Sequence, residues 1–229
     1  MKRILEPEVM KSKKEAEVFH KLALKIKEPV FEFFKRELRA IKKAKLKILD
    51  LGSGTAILDI HLAKSDENWK FVGVELSDEM NNVAKRSVKY EQLEDQIEIQ
   101  KRDAKKTKLP NRSFNVIISN NLLHQIRDPL TVLNECARLV KSDGVVVIRD
   151  VMRPDSEEEI EKIIQERREK LGVLLAADTE KMVKDSAKAG LQFNEIKMLI
   201  NKSDLKRSNI WKEIRHKGHL PHYVIRAGV

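Results

Sequence analysis

The chain of 229 residues contains one cysteine, Cys136, so it has no internal disulfide. Cys136 falls in an apolar helical pattern and reads as buried filler rather than as a nucleophile. No apolar run reaches the ~18–20 residues that a membrane span needs. The opening stretch, MKRILEPEVMKSKK, lacks the hydrophobic core of a secretory signal. These absences set the expectation of a cytoplasmic protein with no membrane partner. No internal repeat or low-complexity linker interrupts the chain, and its length fits one domain with additions.

Charge is what the sequence has in excess. Charged residues make up 36% of the chain, against about 25% in average domains. They are mostly Lys and Glu, and the net charge is +10. Such an excess favours anionic partners, either small phosphorylated or carboxylated molecules or RNA. The plainer alternative is a solvated basic surface.

Residues 8–43 read as two helices. Val18, Phe19, Leu22 and Ile26 share a face of the first. Pro29 opens the second, whose buried face carries Phe34, Leu38 and Ile41. Residues 1–44 are expected to form a helical cap on a single unit, 45–229. From residue 46 strands and helices alternate. Strands are predicted at 46–51, 69–75, about 96–101, 114–119 and 145–150, and helices at about 55–64, after Ser77, after Asp128-Pro129, after Ser156 and at about 179–189. Two last strands are expected near 191–200 and 222–228. Repeated strand–helix units specify an α/β fold, a doubly wound and mostly parallel sheet covered on both faces. In such a sheet ligands bind at the carboxyl ends of the strands, where strand order reverses.

The stretch LKILDLGSGTA, residues 46–56, ends an apolar strand in a glycine turn and opens a helix. Glycines there let backbone approach a ligand closely. A dinucleotide fingerprint would need glycine at 57, where Ile57 stands. A phosphate-binding loop would need Lys after the glycines, where Thr55 stands. Asp50, just before the glycines, repels a diphosphate and suits a ligand with a cationic amino group.

With those residues in hand, roughly 40–155 resembles the class I S-adenosylmethionine-dependent methyltransferases, which implies a seven-stranded sheet with an antiparallel last strand. LDLGSGT is similar to the family's first motif, which implies that Asp50, Gly52, Ser53 and Gly54 wrap the methionine part of the cofactor. Ala56 departs from the glycine usual there but stays small. VGVELSDEM is similar to the second motif, implying that Glu75, beside Leu76, accepts the ribose hydroxyls. RDAKKTKLPNRSFNVI implies adenine contacts from Asp103 and Ala104, and SNNLLHQIRDP puts Ser119 and Asn120 near the methionine end.

The cofactor's sulfonium activates the methyl group by itself, so the protein must mainly place a nucleophile. His124, after the fourth strand, is a candidate base or orienting group, with a packing histidine as the alternative. Asp150, Arg149 and Arg153, at the end of the fifth strand, are candidates for catalysis (Asp150) or the acceptor site, with a turn cap as the alternative for Asp150. The segment 201–219 is expected to be a basic loop between the last two strands, offering Trp211 and Arg215 to an anionic or planar acceptor. His216, His219 and His222 recur every three residues, but Gly218 and Pro221 break any helix that would align them, and no metal site is expected. The Asn/Asp-Pro-Pro-Tyr/Phe motif of amino-methylating relatives is absent, since Ser119-Asn120-Asn121-Leu122 stands in its place. The expected acceptor is therefore a small, anionic molecule; RNA or a protein is the second reading, and a non-catalytic cofactor-binding protein the third.

Overall fold

A computed structural model describes residues 1–7, 12–26, 28–171, 173–213 and 218–228. Its centre is a seven-stranded sheet in the order β3-β2-β1-β4-β5-β7-β6. The strands are β1 (Leu46–Leu51), β2 (Trp69–Glu75), β3 (Ile97–Lys101), β4 (Phe114–Asn120), β5 (Val140–Val151), β6 (Lys206–Lys212) and β7 (His222–Gly228). All neighbours run parallel except at β7, which is antiparallel to β5 and to β6. Strand order reverses between β1 and β4, so the crevice expected of such a sheet opens at the ends of those two strands.

Alternation along each strand splits the core into two layers. In β1, Leu49 and Leu51 join one apolar cluster, and Leu46 and Ile48 join the other. In β2, Val72 and Val74 go one way, and Trp69 and Phe71 the other. Covering both faces of so many large side chains contributes roughly 1.5–3 kcal/mol for each one fully buried.

Helices α1 (Lys13–Ile26) and α2 (Glu28–Arg39) precede the sheet. Phe31, Phe33, Phe34 and Leu38 of α2 are buried in the second layer. The next helices are α3 (Ile57–Ala63), α4 (Asp78–Tyr90) and α5 (Pro129–Leu139). Ser77 caps α4 by accepting the Met80 N–H, and Asp128 caps α5 with Pro129 in its first turn, as their sequences predict. Between β5 and β6 lie α6 (Glu157–Leu171), α7 (Val173–Ala189) and α8 (Phe193–Lys202). The first two pack on each other, and α7 also reaches the short 3₁₀ turn Leu123–Gln125 and α1.

Two expectations fail. The strand predicted near 191–200 is α8: Ile196 and Ile200, four apart, are its buried residues, and Gln192 and Glu195 form a reciprocal capping box. The segment 201–219 is not a single loop, because β6 occupies 206–212. The β-branched residues near 200 read as strand in isolation, but their spacing is helical once a sheet lies on one side. Cys136 is fully buried, and burial pushes its thiol pKa up, in keeping with filler.

Candidate active site at the carboxyl edge of the sheet

The turn after β1 has Gly52 at φ 76° and Gly54 at φ 56°, both in the left-handed region that glycine tolerates. A Cβ on Gly52 would lie 2.9 Å from Leu122, which follows β4. Gly52 and Ser53 give their N–H groups to the Val74 carbonyl, at 2.8 and 3.1 Å, which ties the turn to β2. Ala56 is also left-handed, at φ 57°, although it carries a Cβ. The third small residue of the motif is thus a strained one.

Beneath the turn lies a buried acidic pair. Asp50, on β1, is the register partner of Gly73 on β2. A Cβ on Gly73 would be 2.9 Å from both Asp59 Oδ2 and Ser53 Oγ, so glycine there makes room for Asp59 of α3. Burial raises the pKa of Asp50 to about 7; neighbouring Asp59 lowers it somewhat, and Glu75 adds repulsion. Burial and the Asp50 charge raise Asp59 well above the carboxylate range. Among the described residues, Asp50 Oδ1, both Asp59 carboxyl oxygens, Ser53 Oγ and Thr55 Oγ1 are buried without a hydrogen-bond partner. Orphaned acceptors and hydroxyls under a glycine turn fit a ligand bearing an ammonium group.

Glu75 ends β2 with both carboxylate oxygens in use. Oε2 accepts the Gly54 N–H at 3.1 Å and Oε1 the Ser77 N–H at 2.8 Å. Each oxygen keeps a lone pair for a further donor. Leu76, beside it, is half-buried. Asp103, after β3, accepts the Lys105 N–H at 2.9 Å in a turn that buries Ala104. That loop is anchored to α5, where Glu135 accepts from the N–H and hydroxyl of Thr107 at 2.8 and 2.6 Å. Ser119, fully buried, donates to the Leu51 carbonyl at 2.8 Å and locks β4 to β1. Asn120 accepts from Arg149 at 3.3 Å.

His124 is buried in the 3₁₀ turn, and both ring nitrogens are engaged. Nδ1 lies 2.7 Å from Asp150 Oδ1 and Nε2 lies 3.0 Å from Glu6 Oε1. Burial pulls the His124 pKa down, but the charges and hydrogen bonds of Asp150 and Glu6 outweigh it and raise it to about 9. Asp150 also accepts the N–H groups of Leu123, His124 and Val151. It therefore shapes the turn after β4 as well as the imidazole. Arg149 pairs with Glu213 at 2.7 Å, and Arg153 forks onto Glu195 at 3.0 and 3.1 Å while donating to the Gly190 carbonyl. Arg153 also lines an open cleft of about 220 Å³ with Phe193, Gln192 and Lys212.

Trp211 stands in the outer strand β6, opposite Val224, and packs on the second core layer. It is three strands from β4, so the fold does not gather it with His124 and Asp150. Arg215 and His216 lie outside the described residues. His222 is buried and bonds to the Leu220 carbonyl and to Asn121. Among the described residues no group of three His, Cys, Asp or Glu side chains is arranged to hold a metal.

Sequence reasoning missed Glu6 and Arg3, because the approach of the N-terminus is a tertiary event. Arg3 donates to the carbonyls of Leu123, His124, Ile126 and Ala189, at 3.3, 3.0, 2.9 and 2.7 Å. Asp59 was detectable as an acid on the inward face of a helix that immediately follows the glycine turn.

The comparisons agree with this geometry. A family model described as a methyltransferase domain matches residues 42–218. A demethylmenaquinone methyltransferase of Lactobacillus johnsonii is 30% identical over 118 residues, 49% of this chain and 48% of that protein. A ubiquinone biosynthesis O-methyltransferase of Actinobacillus pleuropneumoniae is 29% identical over 116 residues, 47% and 46% of the two chains. The match thus spans about half the length of these curated relatives. Among solved structures, a SAM-dependent methyltransferase from Aquifex aeolicus aligns over 95% of this chain and 98% of its own, at 17% identity and a TM-score of 0.64. The plantazolicin methyltransferase BpumL, in complex with a pentazolic desmethylPZN analog and SAH, aligns over 94% and 91% at 13% identity and a TM-score of 0.70. These two show the fold. Because the family model spans the glycine turn, the acidic strand ends and the turn after β4, this chain belongs to the methyltransferase domain family, with the fold of the class I S-adenosylmethionine-dependent enzymes.

Proposed function

We propose that the enzyme methylates a nucleophile on a small molecule that carries an anionic group. The observation that carries this reading is the cover over the ends of β4 and β5. Ile4 donates its N–H to the Lys188 carbonyl at 3.0 Å, and Arg3 and Glu6 bind the 3₁₀ turn. The α6–α7 pair sits beside them, with α7 against that turn. An edge roofed by the N-terminal segment and two inserted helices suits an enclosed small acceptor better than an extended RNA or a protein surface. Two relatives named for quinone methylation also point to small acceptors.

In this reading Asp50, Gly52, Ser53 and Gly54 would hold the methionine portion of the cofactor, with Asp50 opposite the ammonium. Glu75, next to Leu76, would take the ribose, and Asp103 and Ala104 the adenine. Ser119 and Asn120 would flank the methionine end. When bound, the cofactor supplies an electrophilic methyl group. The chain's own contribution is to orient the acceptor and exclude water. His124, held charged at neutral pH by Asp150 and Glu6, acts as a fixed donor and positioning group rather than as a free base. Residues 1–44 serve as a helical cap on 45–229, and the enzyme works in the cytoplasm; no helix among the described residues is long and apolar enough to cross a membrane.

The test is incubation of the enzyme and methyl-labelled cofactor with a cell extract. A labelled low-mass acidic product is expected. Label appearing in RNA or protein, with binding that weakens steeply with salt, would replace this reading with the macromolecular one.

A further inference from the structure

A guanidinium stays charged throughout the accessible pH range, so a buried arginine needs an anion or a full set of carbonyls. Three described arginines are buried: Arg149, Arg153 and Arg167. The first has Glu213 and the second has Glu195. Arg167, on α6 and only 6% exposed, pairs with no carboxylate among the described residues. Among the described residues its one hydrogen bond is a long one, from Nη1 to the Gly218 carbonyl at 3.4 Å, and its Nε has no partner. Burial pushes its pKa down, and no charge among the described residues opposes that shift.

Its location is informative. The turn at Gly218 (φ +75°) lies against the backbone of α6, where a Cβ would come within 3.2 Å of Arg167 Cα. Glu166 accepts the Gly218 N–H at 3.0 Å and fixes that turn. From Gly218 the chain reaches His222 in four residues, a span of at most about 14 Å. His222 Nε2 is 3.1 Å from Asn121 Oδ1, immediately after β4. Arg167 is thereby linked, through the Gly218 turn and four residues of chain, to the end of β4 beside the glycine turn.

We propose that Arg167 is the anion-recognising residue of the acceptor site, where its guanidinium takes a carboxylate or phosphate group of the acceptor. This deepens the small-molecule reading and rests on it for the acceptor's identity. It also explains why the protein tolerates a buried charge with no counter-charge among the described residues, since the charge is matched when the acceptor is bound.

The experiment is thermal unfolding of the full chain with S-adenosylhomocysteine, in sodium chloride, sodium phosphate or sodium benzoate at equal ionic strength. The wild type should melt about 3 °C or more higher in at least one of the latter two than in chloride. Which anion does so separates a phosphorylated from a carboxylated acceptor. Arg167→Met should lose that anion-specific rise and melt in chloride at or above the wild-type temperature, because it removes an unpaired buried charge. Arg167→Lys should keep part of the rise. No anion-specific rise in the wild type overturns the proposal, as does an Arg167→Met chain that keeps the rise, melts lower than wild type in chloride, or fails to fold. The labelled-extract experiment separates the two readings. Label in RNA or protein overturns the small-molecule assignment whatever Arg167 does, whereas a labelled small product with no anion effect removes Arg167 alone.

Discussion

Glu75, at the end of β2, accepts the backbone N–H of Gly54 in the turn after β1, at 3.1 Å. The residue assigned to the cofactor's ribose is thus also a strut of the turn assigned to its methionine end. Glu75→Ala should therefore do two things at once. It should weaken S-adenosylhomocysteine binding by a few kcal/mol in titration calorimetry and lower the melting temperature of the free protein, by about 1–3 kcal/mol of stability, because the Gly54 and Ser77 N–H groups lose their acceptor. A normal melting temperature with weakened binding would restrict Glu75 to the ribose. Unchanged binding would remove it from the cofactor site.

Ala56 sits in the left-handed region at φ 57° with its methyl fully buried. Left-handed backbone costs an L-residue roughly 1–2 kcal/mol, part of which glycine returns through its freer unfolded chain. Ala56→Gly should stabilise the protein by about 0.5–1 kcal/mol. Equilibrium urea unfolding checks this, and a loss of stability would mean that the methyl group's packing outweighs the strain.

The imidazole of His124 has its pKa raised to about 9 between Asp150 and Glu6. A raised pKa means the folded state binds the proton more tightly than the unfolded chain does. The resulting stability is fully present below pH ~6.5 and disappears as pH climbs through about 9. His124→Gln should destabilise the protein at pH 6, on the order of 2–3 kcal/mol, and much less at pH 10. A penalty independent of pH would mean that packing, not charge, holds His124 in place.

The pair Asp50 and Asp59 has the same sign by a different route. Both pKa values are raised, Asp50 to about 7, so their favourable contribution exists below the ordinary carboxylate range and is lost as pH rises through neutrality. Asp59→Asn keeps a donor toward Asp50 without the second ionisable proton. Its melting temperature should vary less between pH 5 and pH 8 than that of the wild type, and should be higher at pH 8. An unchanged pH profile would show that the two carboxyls do not share a proton.

How much of this was legible in the chain depends on distance along it. The first five strands, the Ser77 and Asp128 caps and the glycine turn are local: a few adjacent residues fix backbone geometry by their own sterics and hydrogen bonding, and they hold close to their expected places. The helix at 193–202 was misread because strand and helix periods are hard to separate in a short apolar run until it is known which side is covered. Sequence position alone placed Asp150 near His124, but not the three backbone N–H groups that Asp150 also accepts.

By itself, then, the sequence determined the first five strands, the last strand and the glycine turn, because each rests on neighbours within a few residues. Tertiary structure alone decided that Ala56 is strained, that Asp50 and Asp59 are buried together, that the N-terminal Arg3 and Glu6 close on the turn after β4, and that Arg167 is buried with no counter-charge among the described residues. Each of these depends on which distant groups share a volume from which water is excluded, and that is where charge and hydrogen-bond balance are set.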